Sequence, residues 1–258
     1  VHNSPVTISG LDLYGGEITV YEKNLSTGSE PNIDALTSGG VFTVIAPDGL
    51  QTLTIGGLSI IKDGVVSTFP LTGPTPGGNS MTIHSYDPLT GEVTGSFTLV
   101  HSKTHSGEEN APELITVVAV DKDGSTATGV IDVNIIDDAP KAVADSNDDI
   151  ASANQLTLTG NVLSNDIQGA DRVGGSGPII GGTFVGTYGT LVLAADGSYT
   201  YTLHSTEQNF IDLRGPGSDS FTYTLTDADG DTSTATLTLD VHNSPVTISG
   251  LDLYGGEI

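Results

Sequence analysis

Residues 219–241, DSFTYTLTDADGDTSTATLTLDV, read as two strands around a tight acidic turn. Before the turn Phe221, Tyr223 and Leu225 alternate with threonines; after it Ala235, Leu237, Leu239 and Val241 do the same. A period of two marks a strand with one face buried, and threonine and tyrosine suit a pleated backbone. The pattern recurs at 198–203 with Tyr199, Tyr201 and Leu203, and at 126–135 with Ala127, Ile131, Val133 and Ile135. Between such runs fall turn signals: PDG at 47–49, KDG at 62–64, PLTG at 88–91 and DG at 123–124, 196–197 and 229–230. Many short strands at this spacing predict an all-β chain built of sandwiches.

Composition narrows the function. Thirty-two acidic residues against 7 basic ones give a net charge of -25, and Asp outnumbers Glu by 23 to 9. Asp is a poor helix former but a good turn residue and oxygen ligand, so this bias suits loops and metal sites. Nucleic acid is excluded as a partner, because gripping phosphates takes clusters of Lys and Arg. No segment approaches the ~20 apolar residues of a membrane span, and no signal peptide opens this stretch. The 258 residues contain no Cys, so a secreted protein of this sequence needs a staple other than disulfides, and metal is the obvious one.

Residues 1–18, VHNSPVTISGLDLYGGEI, recur letter for letter at 241–258, an offset of 240. Such identity marks a tandem array and favours a repetitive, mechanical role. Within the repeat, IIDDAP at 135–140 ends a long strand in two acids and a proline; LDVHNSP at 239–245 is its counterpart. Each linker follows a strand preceded by an Asp-rich hairpin, DKDG at 121–124 and DADGD at 227–231. The expected division is therefore a first sandwich at 1–138, a second at 139–241, and the start of the next copy at 242–258.

This plan resembles the large type I secreted RTX adhesins of Gram-negative bacteria. VYEKNL at 20–25, SYDPLTGEVTGSFTLV at 85–100 and AVDKDGSTATGVIDVNIIDDAP at 119–140 look like their long Ig-like repeat. GNVLSNDIQGAD at 160–171, GTYGTLVLAADGSYTYTL at 186–203 and DSFTYTLTDADGDTSTATLTL at 219–239 look like the cadherin-like repeat beside it. The resemblance implies an elongated, calcium-clamped rod of extender domains that holds a terminal adhesive domain away from the bacterial surface, as in biofilm formation. Two features depart from the family: HNSP replaces acids in the second linker, and NDIQ at 165–168 lacks one acid.

Calcium also follows from geometry. A 12-residue strand at 125–136 is about 40 Å long at ~3.3 Å per residue, so the 121–124 hairpin lies at the opposite end of its sandwich from Asp137 and Asp138. By the same logic Asp227, Asp229 and Asp231 face the incoming linker, with Asn165 and Asp166 beside them. Glu22, Glu108 and Glu109 are expected at the exit end of the first sandwich. Asp121 and Asp123 pair with the preceding linker at Asn3, and Asp240 with Asn243 begins the following one. Such a cluster repels itself without cations, and one to three Ca2+ ions suit it better than Mg2+, which demands a stricter octahedron. A hairpin Asp also serves simply to close its turn. Two hairpins matched to two linkers weigh toward the ion.

Other constellations carry less. His101 and His105 have metal-like spacing but no third histidine or cysteine nearby, and are expected as surface-loop residues. Glu108 and Glu109 make a poor hydrolytic pair, since adjacent strand residues face opposite ways. No nucleophile-elbow, dinucleotide or P-loop motif occurs, and GGSGP at 174–178 reads as a flexible loop. The expected function is a non-enzymatic, extracellular stalk repeat. Its partners are neighbouring repeats of the same chain, with no small-molecule substrate, as a monomer open to strand exchange through 1–18 and 241–258. The rival is a carbohydrate-binding or homophilic adhesion module; against it, the chain has no Trp, and its Tyr and Phe sit mostly on inward strand positions.

Overall fold

The computed structural model describes residues 4–11, 17–147, 149, 151–152, 155–175, 177–204 and 217–242. The backbone forms two compact units. The first holds Val1–Pro140 together with two later loops, Gln168–Val173 and Asp227–Thr232; the second holds Lys141–Ile167, Gly174–Thr226 and Ser233–Ile258. The two loops of the first unit lie in sequence beyond its last strand.

The strands of the first unit are β1 (Thr7–Ser9), β2 (Ile18–Tyr21), β3 (Thr37–Ile45), β4 (Leu50–Ile55), β5 (Leu58–Lys62), β6 (Val65–Val66), β7 (Leu71–Pro74), β8 (Ser80–Tyr86), β9 (Glu92–Thr98), β10 (Glu113–Asp121) and β11 (Thr126–Ile136). Among the described residues they make one sheet in the order β1-β3-β9-β8-β7 and another in the order β2-β11-β10-β4-β5-β6. Alternate residues of both sheets share one core. Phe42, Val44, Ile83, Val93 and Phe97 come from one sheet, and Leu53, Ile55, Ile115, Val117, Val133 and Ile135 from the other. This is a sandwich, and the alternation read in 126–135 is the reason β11 turns Ile131, Val133 and Ile135 inward.

The second unit contains β12 (Asp145–Ser146), β13 (Thr157–Asn161), β14 (Gly182–Val185), β15 (Gly189–Leu193), β16 (Ser198–Leu203), β17 (Gly217–Thr226) and β18 (Thr232–Val241). Its sheets run β12-β18-β17 and β13-β16-β15-β14 among the described residues. Tyr199, Tyr201 and Leu203 meet Phe221, Tyr223, Leu225, Leu237 and Leu239 in its core. The glycine-rich stretch before β14 is anchored at its end, contrary to the loose loop expected from composition. Pro178 and Ile179 are buried, Thr226 N donates to Pro178 O at 2.8 Å, and Ile179 bridges to Leu225. Ser176 lies outside the described residues, as do Asn3, Asn243 and the strand exchange expected of 243–258.

The turns follow their sequences. At the β8–β9 turn Gly91 has φ 75°, and a Cβ there would lie 2.1 Å from Val44 O. Its own carbonyl accepts from Val44 N at 2.9 Å. Gly91→Ala is expected to cost about 2 kcal/mol, from a left-handed backbone plus a steric clash. Thermal denaturation should show a loss of several degrees, and an unchanged melt would refute this account of the turn.

Candidate metal centre

β2 runs parallel to β11, with Ile18 opposite Val133 and Tyr21 opposite Ile136. The next residues, Glu22 and Asp137, therefore leave the sheet side by side. β10 pairs antiparallel with β11, Asn110 bridges to Ile136, and Asp137 N donates to Glu109 O at 3.0 Å. That pairing brings the segment between β9 and β10, with His105, to the same end. Loop 168–173 joins because Ala170 inserts into the first unit's core. Gly169, at φ 81°, lets its backbone come so close that a Cβ would sit 2.3 Å from Asp138 O. Ala228 N donates to Asp171 O at 2.9 Å, which ties loop 227–232 to loop 168–173.

Glu22 is fully buried at the head of a 3-10 turn, Glu22–Asn24. Its Oε1 accepts from Lys103 N at 2.6 Å and faces His105 Nε2 at 3.2 Å. His105 Nδ1 faces Glu108 O at 3.1 Å, and His105 N donates to Asp229 Oδ2 at 3.1 Å. A carbonyl only accepts, so Nδ1 carries a proton. The donor atoms of Glu22, His105 and Asp137 lie within 4.8 Å of one another, and so do those of Asp137, Asp171 and Asp229. Asp137 is common to both groups.

Three buried carboxylate oxygens in this cluster have no hydrogen-bond partner: Glu22 Oε2, Asp171 Oδ2 and Asp229 Oδ1. Leaving such an oxygen unmatched costs more than a neutral group would, and buried polar groups are nearly always satisfied. Two ionised carboxylates 4.8 Å apart also repel by about 3 kcal/mol at an effective dielectric near 20. Protons respond accordingly. Burial, then the neighbouring Asp171, pushes the Glu22 carboxyl up to about 9. Burial, then Asp229, pushes Asp227 up to about 7. Burial raises Asp137 to about 6 against the opposing pull of Asp138 N–H and His105.

The donor set is mostly hard oxygen, which suits Ca2+. The one imidazole has both nitrogens engaged, which withholds the soft donor that zinc would use.

Not every residue expected at the site contributes a free carboxylate. Asp138 is buried but spent on Ser29, whose N and Oγ donate to its two oxygens at 2.7 and 2.5 Å. Asp227 Oδ1 accepts from Gly230 N and Asp231 N and so shapes its own turn. Asp231 is half-buried, its carboxyl beside that of Asp137. Glu108 and Glu109 are exposed and reach the site through backbone carbonyls. Asn165 and Asp166 belong to the second unit; Asn165 Nδ2 donates to Ala144 O, and Asp166 accepts from Val143 N and Tyr223 Oη. Asp240 is exposed on β18, its carbonyl taken by Ala151 N. Asp121 and Asp123 lie at the β10–β11 turn.

His105, expected on the surface, is buried instead, because Glu108 O and Glu22 Oε1 both hold its ring. Asp171 was not singled out by its sequence. Its one signal is the Gly-Ala pair before it, which lets the loop enter a core.

Residues 137–243 match the family model of the bacterial cadherin-like domain. This cadherin-like segment contains both loops that complete the cluster, 168–173 and 227–232, together with Asp137. No curated protein matches the chain. Among solved structures, a 1.5-MDa bacterial ice-binding adhesin is similar at 19% identity and TM-score 0.30, covering 94% of this chain and 67% of that one. The SrpA adhesin of Streptococcus sanguinis is similar at 12% identity and TM-score 0.30, over 91% and 94% of the two chains. A mouse clustered protocadherin is similar at 13% identity and TM-score 0.31, over 89% and 66%.

Proposed function

We propose that the chain is a non-enzymatic stalk repeat of a secreted bacterial surface adhesin, stiffened by calcium at the cluster of Glu22, Asp137, Asp171 and Asp229. The observation that carries this reading is the set of three buried carboxylate oxygens without hydrogen-bond partners, where no lysine or arginine among the described residues forms an ion pair with them. Such an arrangement is costly unless something neutralises it, and a hard cation does so with few demands on geometry.

A bound calcium ion would supply positive charge and coordinate six to eight oxygens, the carboxylates filling part of its shell and water the rest. The chain's own residues do the positioning. Parallel pairing of β2 with β11 fixes Glu22 against Asp137, and His105 N holds Asp229. Asp171 and Asp229 come from the cadherin-like segment, whereas Glu22 comes from the segment before it. Shared ligands would thus clamp the two sequence segments together. Repeated along a tandem array, such clamps give a rod of fixed reach, with a distal domain of the parent left to do the adhering.

The test is the double substitution Glu22→Gln, Asp229→Asn. Calcium affinity should fall at least about tenfold by calorimetry, while melting in chelator is unchanged or higher because repulsion has been removed. Unaltered affinity would discard the assignment. Small-angle scattering of the parent chain should show a larger maximum dimension in calcium than in chelator. Equal dimensions would retain the ion and discard the stalk.

A further inference from the structure

Glu113 is a charged residue at an inward strand position. On β10 it alternates in step with Ile115, Val117 and Ala119, and it is buried with them. A carboxylate turned into a sandwich is costly unless donors meet it. Two do, and both come from the turn between β7 and β8 in the other sheet: Gly77 N donates to Oε1 at 2.8 Å and Asn79 Nδ2 to Oε2 at 2.9 Å. Residue 77 has to be glycine for this approach, since a Cβ there would lie 2.5 Å from Glu113 Oε2. The turn itself does not require the pair. Thr75 N donates to Asn79 O at 2.9 Å and Gly78 N to Thr75 O at 3.0 Å, so the backbone alone closes it.

Asn79 is buried too, and its Oδ1 carries the hydrogen bonds onward. It accepts from Val100 N at 2.8 Å and His101 N at 3.3 Å, just past the end of β9. Two residues further on, Lys103 N donates to Glu22 Oε1 at 2.6 Å, and His105 N donates to Asp229 Oδ2 at 3.1 Å. Lys103 Nζ turns back to Ala111 O at 3.3 Å and Pro112 O at 2.5 Å, next to Glu113 in the chain. The loop that holds Glu22 and Asp229 is thus fastened at its first residues by Asn79 and closed on itself beside Glu113.

We infer that Glu113 and Asn79 are positioning residues for the Glu22 cluster. Their hydrogen bonds go to Gly77, Val100 and His101 and to each other, not to a proposed ligand, yet they set where the 100–105 loop runs and so where its amides meet Glu22 and Asp229. Their effect on ion affinity rests on the calcium reading of that cluster, while their effect on the loop rests on the hydrogen bonds alone. A shell held in place beforehand leaves less ordering to be done when an ion arrives, so the pair acts on affinity and not on the number of ions.

The experiment is a polarity swap in the full 258-residue chain. Glu113→Gln sets an NH2 against a donor, and rotating the Asn79 amide only moves the mismatch to Val100 N and His101 N. Asn79→Asp sets a second carboxylate against Glu113 in a buried place. The double variant restores every bond: the new amide donates to the new carboxylate, whose other oxygen still accepts from Val100 N and His101 N. In chelator, hydrogen exchange at the Lys103 and His105 amides should quicken at least about tenfold in each single variant, the ratio that one lost buried hydrogen bond carries, and return close to the parent rate in the double. Calcium affinity by calorimetry should fall about tenfold in the single variants and recover in the double, with the number of bound ions unchanged. A network that only supported the fold would quicken exchange across the whole first unit alike. Single variants with unchanged exchange, a folded double variant whose loop stays fast, or single variants that unfold the first unit as a whole would each overturn the assignment. A parent that binds no calcium would discard the proposed function, and exchange in chelator would still decide the network.

Discussion

Calcium added to the chelated protein is expected to raise its melting temperature by roughly 10 °C. An ion that binds only the folded chain contributes about 4 kcal/mol at a concentration a thousand times its Kd. For a domain of this size each kcal/mol is worth about 2–4 °C. The source is the Glu22 cluster, where binding satisfies three orphaned oxygens and cancels repulsion among carboxylates held within 4.8 Å. Magnesium at the same concentration should do less, since it keeps its waters and demands an octahedron that side chains on four separate loops do not make. Calorimetry in calcium and in chelator measures the effect, and coincident melts would remove calcium from the account of this fold.

In chelator the same groups set a pH dependence whose sign follows from their shifts. Glu22, Asp227 and Asp137 rise in the folded chain to about 9, 7 and 6. The unfolded values are about 4, so the folded state binds these protons more tightly. Their contribution is complete below about pH 4 and is lost as pH climbs through the folded values. The calcium-free protein should therefore melt lower at pH 8 than at pH 5. Saturating calcium should flatten or invert that slope, because the ion takes up the ionised carboxylates and releases their protons.

Fold class was legible because it rests on local signals. Alternation in 198–203 and 219–241 predicts which side chains turn inward, and Tyr199, Tyr201, Phe221 and Tyr223 do so. Turn residues such as Gly49, Gly91 and Gly124 mark the corners at positive φ. The candidate site was legible only in part, because it depends on register and insertion. That Glu22 meets Asp137 follows from a parallel pairing between strands more than a hundred residues apart, which no local pattern encodes. Asp171 depends on Ala170 entering a core. Asp138, expected as a ligand from its linker position, already accepts one hydrogen bond from Ser29 on each of its oxygens. Sequence names the acids; tertiary pairing decides which keep an oxygen free.

Asp219→Ala is expected to destabilise the second unit by about 4 kcal/mol, although Asp219 is not among the proposed ligands. Its carboxylate is buried on β17 and gathers four donors. Thr187 N reaches Oδ1 at 2.8 Å, while Tyr188 N, Gly189 N and Tyr201 Oη reach Oδ2 at 3.0, 3.1 and 2.7 Å. Three of these are backbone N–H groups, two in the turn between β14 and β15 and one on the first residue of β15, so one side chain on the β12-β18-β17 sheet holds the corner of the other sheet. Alanine leaves all of them unmatched in a dry site, at about 1–3 kcal/mol each before relaxation and water entry reduce the sum. Burial and then Asp219 itself push the Tyr201 hydroxyl up, which keeps it a donor to the carboxylate. Tyr201→Phe removes one donor and leaves the carboxylate three, and should cost only about 1 kcal/mol. Asp219→Asn keeps the shape but turns an NH2 toward donors, and should fall between the two. Melting curves for the three variants rank these effects. If Asp219→Ala and Tyr201→Phe melt together, the turn is held by its strands, and the carboxylate is not the clasp that its four hydrogen bonds make it.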